Sequence, residues 1–139
     1  MHIAKDVSSR STCLRRQHGA VIVKNDQILS TGYNGSPRRM PHCETLGCLR
    51  EELGIPSGER YEMCRSVHAE ANAIIQAAAN GVAIEGATMY VTGMPCQMCG
   101  RMLINAGIIA VWIGDSSGHI DEEVEKMFTR SGIEGGPIG

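Results

Sequence analysis

The sequence predicts an α/β fold in which short strands alternate with helices. Two apolar segments near the N-terminus, Gly19–Lys24 and Gln27–Tyr33, are bounded by polar turn residues and have the length and composition of strands. In the second half, apolar segments of strand length alternate with Ala-rich and Ile-rich segments of helical length. Such alternation is typical of α/β layers with some parallel strand pairing. The length of 139 residues predicts a single domain that spans residues 1–139.

The N-terminal elements are predicted to be a short helix and a hairpin. Residues 2 to about 12 should form the helix, which leads to Cys13. Asn25–Asp26 separates the two strands by two residues of a type that favours a tight hairpin turn. The two strands should therefore pair antiparallel.

An insertion at about residues 35–65 follows the second strand. It has no clear periodicity, and at most a short helix is predicted near Leu46–Leu53. A structureless segment of this length inside a compact domain is unusual unless something holds it in place.

Four cysteines offer a way to hold the insertion. They can form a closed, structural zinc site, in which His42 could replace one of them. The alternative is that some of them are small buried hydrophobic residues, as free cysteines often are. The four are Cys13, Cys43, Cys48 and Cys64.

Three helices and two strands are predicted after the insertion. Ile108–Ile113 is almost entirely apolar and should be a central strand, whereas the Gly/Pro-rich tail, residues 132–139, should fray. The other elements are a helix from His68 to Ala79, a strand over Ala87–Thr92, a helix over Cys96–Ala106 and a helix over Asp121–Ser131.

Two short motifs carry the predicted chemistry. His68-Ala69-Glu70 begins one helix, with Ser66 as its predicted cap, and Pro95 leads into a second helix that carries Cys96 and Cys99. Residues three apart share a helix face, so the two cysteines can bind one metal ion together. An imidazole and two thiolates suit a tetrahedral zinc ion whose fourth position is left for water.

The spacing within the first motif gives Glu70 a different role. Residues two apart on a helix do not face each other, so Glu70 is poorly placed to share an ion with His68. It is instead the candidate proton carrier beside the metal, and His68, Cys96 and Cys99 are the candidate ligands.

Each motif alone is weak support for catalysis. A lone Cys-x-x-Cys is more often a structural metal clip or a redox pair, and a lone His-x-Glu is usually a chance pair on the surface. Together and in this order, they match the pattern of zinc-dependent nucleobase deaminases.

Composition and charge indicate which classes of partner and substrate to expect. The N-terminus lacks the apolar stretch of a secretory signal and no apolar run is long enough to span a membrane, so a cytoplasmic protein with no membrane partner is expected. Six cysteines then argue for metal binding or catalysis before disulfides. Residues 10–39 contain six basic residues and one acid, which suits a small anionic substrate better than a nucleic acid, although a solvated face is the alternative.

The chain resembles the cytidine and deoxycytidylate deaminase superfamily over nearly its whole length. Within it, the deoxycytidylate (dCMP) deaminase branch, which includes late-competence proteins, is the more similar. The resemblance is carried by segments 10–13 (RSTC), 19–23 (GAVIV), 32–37 (GYNGSP), 68–74 (HAEANAI), 85–92 (EGATMYVT), 95–99 (PCQMC) and 104–108 (INAGI).

The resemblance implies a three-layer, cytidine deaminase-like fold with a central five-stranded mixed sheet flanked by helices, usually assembled as a homo-hexamer. It implies zinc-dependent hydrolysis of dCMP to dUMP and ammonia, which supplies dUMP for thymidylate synthesis. In this activity a water activated on the metal attacks C4 of cytosine.

The resemblance also implies roles for individual residues. His68, Cys96 and Cys99 bind the catalytic zinc, and Glu70 shuttles protons between water, N3 and the departing ammonia. Asn34 and Asn72 hold the nucleotide, although a left-handed turn before Gly35 would also explain an asparagine at position 34. Cys13 and Cys43 match positions of the second zinc site in this branch.

One departure concerns regulation. Regulated relatives carry a basic residue before Asn80–Gly81, where this chain has Ala79. The effectors suggested by the resemblance are dCTP and dTTP, and Ala79 removes the cation expected near an effector phosphate.

Other functions remain possible on the sequence alone. The chain could deaminate another cytosine nucleotide or nucleoside, or be a non-catalytic, zinc-stabilised competence or binding module. A tRNA adenosine substrate gains little from the acidic second half. We expect phosphate contacts from the region between Arg10 and Arg39, with Arg15, Arg16, Arg38 and Arg39 as the candidates.

Overall fold

The computed structural model describes residues 1–115 and 120–138, and within these residues five strands form one mixed sheet. The order across the sheet is β2-β1-β3-β4-β5, in which β1 pairs antiparallel with β2 and β3, and β3, β4 and β5 run parallel. The strands are β1 (Gly19–Lys24), β2 (Gln27–Tyr33), β3 (Thr88–Gly93), β4 (Ala110–Asp115) and β5 (Glu134–Pro137).

Six α-helices are found in the same residues. They are α1 (His2–Ser8), α2 (Cys43–Leu46), α3 (Leu49–Glu52), α4 (Ala69–Ala79), α5 (Gln97–Asn105) and α6 (Glu122–Ser131), and a 3-10 turn spans Tyr61–Met63. In the described part of the chain, none of these helices combines the length and the apolar character that crossing a membrane requires.

The hairpin is confirmed. Asn25 and Asp26 have φ values of 52° and 61°, as a two-residue turn between antiparallel strands requires. Asparagine and aspartate tolerate this left-handed conformation better than most residues, which is why the dipeptide predicted the turn.

Helices cover both faces of the sheet. Gly19 packs against Ala4 of α1, and Gly32 packs against Ala69 and Ala73 of α4. Gly19 pairs with Tyr33, the neighbour of Gly32, and because side chains alternate along a strand, the two glycines face opposite sides. The three-layer arrangement is thus present, with buried side chains such as those of Ile22, Met89, Val91, Leu103 and Val111 filling the core.

The C-terminal segment contradicts the expectation of a frayed tail. Residues Glu134–Pro137 form β5, which pairs with β4 and supplies the fifth strand. Gly135 lies so close to the backbone of Val111 that a side chain there would collide with it. The glycines that suggested a loop are therefore what lets this segment approach the edge of the sheet.

Several predicted boundaries also change. The first helix ends at Ser8 and not near residue 12, and the short helix near Leu46–Leu53 is instead α2 and α3, separated at Gly47 with φ 87°. Ser66 does not cap α4, because His68 is the N-cap residue and the Ser66 hydroxyl contacts the Cys43 thiol at 3.6 Å.

The close packing of β2 on α4 gives a stability prediction. A Cβ atom at Gly32 would lie well inside contact distance of the backbone atoms Ala69 O and Ala73 N. We expect Gly32→Ala to lower the free energy of unfolding by about 3 kcal/mol, measured by urea denaturation.

Gly35→Ala is the matched control, because its Cβ would meet its nearest neighbour, the Tyr33 ring, at an ordinary 3.7 Å. We expect a change below about 1 kcal/mol for this control. Equal losses in the two variants, or none at Gly32, would contradict the packing described.

Candidate active site

The two predicted motifs meet at the N-terminal ends of α4 and α5. His68 Nδ1 lies 3.4 Å from Cys96 Sγ and 3.6 Å from Cys99 Sγ. Cys96 follows the end of β3 as the N-cap of α5, and His68 is the N-cap of α4. Across residues 1–115 and 120–138, these three residues form the one group of potential ligands whose donor atoms all lie within 4.8 Å of one another.

The spacing of these donors fits zinc. With Zn–S bonds of about 2.3 Å and Zn–N bonds of about 2.05 Å, tetrahedral coordination places a nitrogen and a sulfur ligand about 3.6 Å apart. The separations of 3.4 Å and 3.6 Å between His68 and the two thiols agree with this value. Three protein ligands leave one position for water or substrate, as in catalytic zinc sites.

The contacts among His68, Cys96 and Cys99 favour the thiolate form of Cys96. Hydrogen bonds with Cys99 and then His68 lower the pKa of Cys96 to about 4, while Cys96 and burial raise the pKa of Cys99. Hydrogen bonds with Cys64 and then Cys96 raise the pKa of His68 to about 10. Zinc binding therefore has to displace protons from His68 and Cys99, and should release them to solvent.

Glu70 lies beside this centre in the first turn of α4. It is 6% exposed, and burial is the main cause that raises the pKa of its carboxyl group. The nearby His68 charge and the Cys99 thiol partly oppose this rise. A carboxyl group with a raised pKa is suited to accept a proton and to return it at neutral pH.

A cavity of about 260 Å³ opens at the centre. It is lined by the candidate ligands His68 and Cys96 and by the candidate proton carrier Glu70. Its wall also includes three arginines, Arg15, Arg16 and Arg50. Basic groups therefore share one pocket with the candidate metal site, as the site of an anionic nucleotide would require.

Besides Arg50, two wall residues are not predicted from the sequence, His18 and Tyr61. His18 precedes β1, and burial, with the nearby charge of Arg16, lowers its pKa to about 4, so that it is neutral. The Tyr61 ring stands edge-on to the His68 ring at 5.5 Å. The position of His18 beside a predicted strand end offered a weak signal, whereas nothing in the sequence of the insertion marked Tyr61.

The two asparagines make contacts within the protein. Asn34 lines the cavity, but its Oδ1 accepts a hydrogen bond from His18 N at 2.8 Å and its Nδ2 donates to Arg16 O at 2.9 Å. The alternative of a left-handed turn is wrong, because Asn34 does not have a positive φ. Asn72 donates to Tyr33 O at 2.8 Å and does not line the cavity.

The remaining four cysteines are not brought to one point. Among the described residues, no three of them, with or without His42, have donor atoms within 4.8 Å of one another. Cys43 and Cys48 are buried, whereas Cys64 and Cys13 line the cavity. The interaction with His68 is the main cause that lowers the pKa of the Cys64 thiol.

Comparison with known proteins shows relatives across most of the chain. The family model for the cytidine and deoxycytidylate deaminase zinc-binding region matches residues 1–115. Deoxycytidylate deaminase of Saccharomyces cerevisiae is 35% identical over 133 residues, 96% of this chain and 41% of that protein. ComE operon protein 2 of Bacillus subtilis is 37% identical over 124 residues, 89% of this chain and 61% of that protein. The chain thus spans less than two thirds of the length of these curated relatives.

A solved structure agrees with the fold. The dCMP deaminase from cyanophage S-TIM5, in complex with dCMP and dUMP, superposes with a TM-score of 0.80 at 27% sequence identity. The match covers 99% of this chain and 92% of the phage protein.

Proposed function

The chain belongs to the cytidine and deoxycytidylate deaminase family, and from this premise we propose that it is a zinc-dependent enzyme that hydrolyses dCMP to dUMP and ammonia, supplying dUMP for thymidylate synthesis. The observation that carries the proposal is the buried Glu70, which lines one cavity with His68 and Cys96, two of the three clustered donors His68, Cys96 and Cys99. The names of the yeast and phage relatives support dCMP as the substrate.

Glu70 performs the proton transfers in the proposed reaction. When bound, zinc supplies the acidity that makes a coordinated water nucleophilic near neutral pH. The Glu70 carboxylate accepts a proton from the attacking water and passes it to N3 of the cytosine ring. After oxygen has bonded to C4, Glu70 takes up the proton that remains on that oxygen and delivers it to the amino group. The C4–N bond then breaks, the oxygen becomes the C4 carbonyl, and the amino group leaves as ammonia.

A substrate panel tests the proposal. The zinc-loaded protein is incubated with dCMP, CMP, dCTP, deoxycytidine and adenosine, and ammonia release is followed. We expect the highest kcat/KM with dCMP and little change on adding dCTP as an effector, because Ala79 offers no charge to an effector phosphate. Release from adenosine alone, or from none of the five, would contradict the proposal, and preference for another cytosine compound would correct the substrate.

We further propose a second, structural zinc ion held by Cys13, Cys43, Cys48 and Cys64, with His42 as a possible substitute. Two contacts support a shared neighbourhood: Thr12 Oγ1 lies 3.1 Å from His42 Nδ1, and Cys43 Sγ lies 3.6 Å from Ser66 Oγ. These contacts place the segments around Cys13, Cys43 and Cys64 next to one another. Binding would require the thiols to move together, and its free energy would order the insertion.

We also propose that the protein forms a homo-oligomer, a hexamer on family resemblance, and works in the cytoplasm, which keeps thiol ligands reduced. Exposed apolar side chains on two helices support association, namely Ile75 of α4 and Met98 and Met102 of α5. A solution mass near six times 14.9 kDa by light scattering would agree with a hexamer, and a monomer mass would contradict association.

A further inference from the structure

Arg50 of α3 is a buried cation in the cavity wall. The residue is 6% exposed, its Nε has no hydrogen-bond partner, and among the described residues it forms no ion pair with a carboxylate. Its Nη2 donates to Pro56 O at 3.3 Å, and its guanidinium lies 4.7 Å from the centre of the Tyr61 ring. Burying a charge without an opposite charge is costly, so this site favours an anion from outside the protein.

Arg15 contacts the same segment of the insertion as Arg50, at Ile55 and Pro56. Its Nη2 donates to Ile55 O at 2.8 Å, its Nη1 is buried without a partner, and its Nε faces the exposed Glu51 carboxylate at 3.6 Å. Consecutive carbonyl groups, those of Ile55 and Pro56, therefore hold two guanidinium groups at one side of the cavity. The fork of N–H donors on a guanidinium suits phosphate oxygens.

The other charged groups of the cavity have partners. Arg16 pairs with Asp115 at 3.8 Å, and Asp121 accepts hydrogen bonds from the first turn of α6 and from Gln97. Arg38 and Arg39, which the sequence suggested as phosphate ligands, are exposed and do not line the cavity.

Tyr61 is close to both the metal site and the buried Arg50 guanidinium. Its ring centre lies 5.5 Å from the centre of the His68 ring and 4.7 Å from the Arg50 guanidinium. One aromatic ring thus adjoins both a metal-site residue and the buried cation. A nucleoside 5′-monophosphate has the same layout, with a sugar between base and phosphate.

We infer that the insertion, together with Arg15 from the segment before β1, forms the phosphate subsite of this cavity, with Arg50 and Arg15 binding the 5′-phosphate of the substrate. The inference rests on the proposed function and deepens it, because it makes the insertion the source of selectivity for a nucleotide over a nucleoside. Tyr61, placed between the two ends of the ligand, then forms the wall beside the sugar.

The test compares dCMP with deoxycytidine. We expect Arg50→Ala and Arg15→Ala each to lower the ratio of kcat/KM for dCMP to that for deoxycytidine by about 10- to 100-fold, as expected for lost hydrogen bonds to a charged group. The matched control is Arg65→Ala. Arg65 also lies in the insertion with a buried, unpartnered Nε, but it does not line the cavity, and its replacement should change the ratio less than about 2-fold.

A second variant covers the case in which Arg50→Ala does not fold. Arg50→Lys keeps the charge but loses the planar fork, and we expect it to lower the same ratio by about 3- to 10-fold. Equal losses for dCMP and deoxycytidine would indicate a merely structural role and would overturn the inference. A wild-type protein with no preference for dCMP over deoxycytidine would also overturn it.

Binding measurements separate this inference from the proposed reaction. Calorimetry with dUMP and deoxyuridine should show tighter binding of dUMP to the wild type, and Arg50→Ala should remove about 10-fold or more of that difference. A wild type that releases ammonia from no cytosine compound, yet loses its dUMP preference in Arg50→Ala, would contradict the reaction and support the subsite. Equal binding of dUMP and deoxyuridine would overturn the subsite even in an active deaminase.

Discussion

Glu70→Gln is expected to lower kcat for dCMP by about 100- to 10,000-fold while the protein still folds and binds zinc. Glutamine has nearly the same shape as glutamate, but it cannot accept a proton from water or donate one to the leaving amino group. The side chain is 6% exposed beside Cys99, so no bulk water can take over this role easily. Steady-state kinetics and zinc analysis on the same preparation provide the measurement.

Stability should not explain the loss. Burial raises the pKa of Glu70, so between its ordinary and its raised pKa the folded chain holds a proton that the unfolded chain releases. The ionised carboxylate therefore costs stability as pH rises through that range, and a neutral glutamine avoids this cost. We expect Glu70→Gln to melt no lower than the wild type at neutral pH.

The matched control for this variant is Glu62→Gln, at an exposed carboxylate bonded to Arg60. Its kcat should stay within about 2-fold of the wild type, since exposed side chains away from the site contribute little. Full turnover in Glu70→Gln would instead favour the non-catalytic binding module that the sequence left open.

Cys99→Ser should remove the catalytic zinc and reduce turnover to background. Cys99 is 1% exposed and lies 3.6 Å from His68 Nδ1, and a serine hydroxyl does not replace a thiolate as a zinc ligand. We expect metal analysis to find about two zinc ions per wild-type chain and one fewer in Cys99→Ser. Unchanged zinc content and activity in this variant would contradict the assignment of the ligands.

Cys43→Ser serves as the comparison, because Cys43 belongs to the proposed structural site and not to the catalytic one. It should also lose one zinc ion, but its main effect should be a lower melting temperature with the catalytic zinc retained. One zinc ion in the wild type, together with unchanged melting of Cys43→Ser, would remove the second-site proposal.

The fold was predictable where local chemistry decides it. Asn25–Asp26 specified the hairpin, and the apolar segments specified the four longer strands of the sheet. The strand β5 was missed because Glu134–Pro137 has no apolar pattern, and its pairing depends on the close approach that Gly135 allows to Val111. Such an approach is a property of the tertiary structure and leaves no periodicity in the sequence.

The candidate site likewise contains residues that the sequence predicts and residues that only the structure shows. His68, Glu70, Cys96 and Cys99 were identified because helix geometry and metal chemistry fix their spacing within each motif. The wall residues His18, Tyr61 and Arg50 were not identified, since each reaches the cavity from a different segment. The packing of the insertion against the α4–α5 junction brings Tyr61 and Arg50 into the wall, and His18 enters it from the segment before β1.

The most direct test is a crystal structure with dUMP bound, with anomalous diffraction measured at the zinc absorption edge. We predict a peak about 2.0–2.3 Å from His68 Nδ1, Cys96 Sγ and Cys99 Sγ, with the fourth position facing the pyrimidine ring and the Glu70 carboxylate. A fourth protein ligand in that position, such as the Cys64 thiol that lines the same cavity, would seal the ion from water and contradict the mechanism.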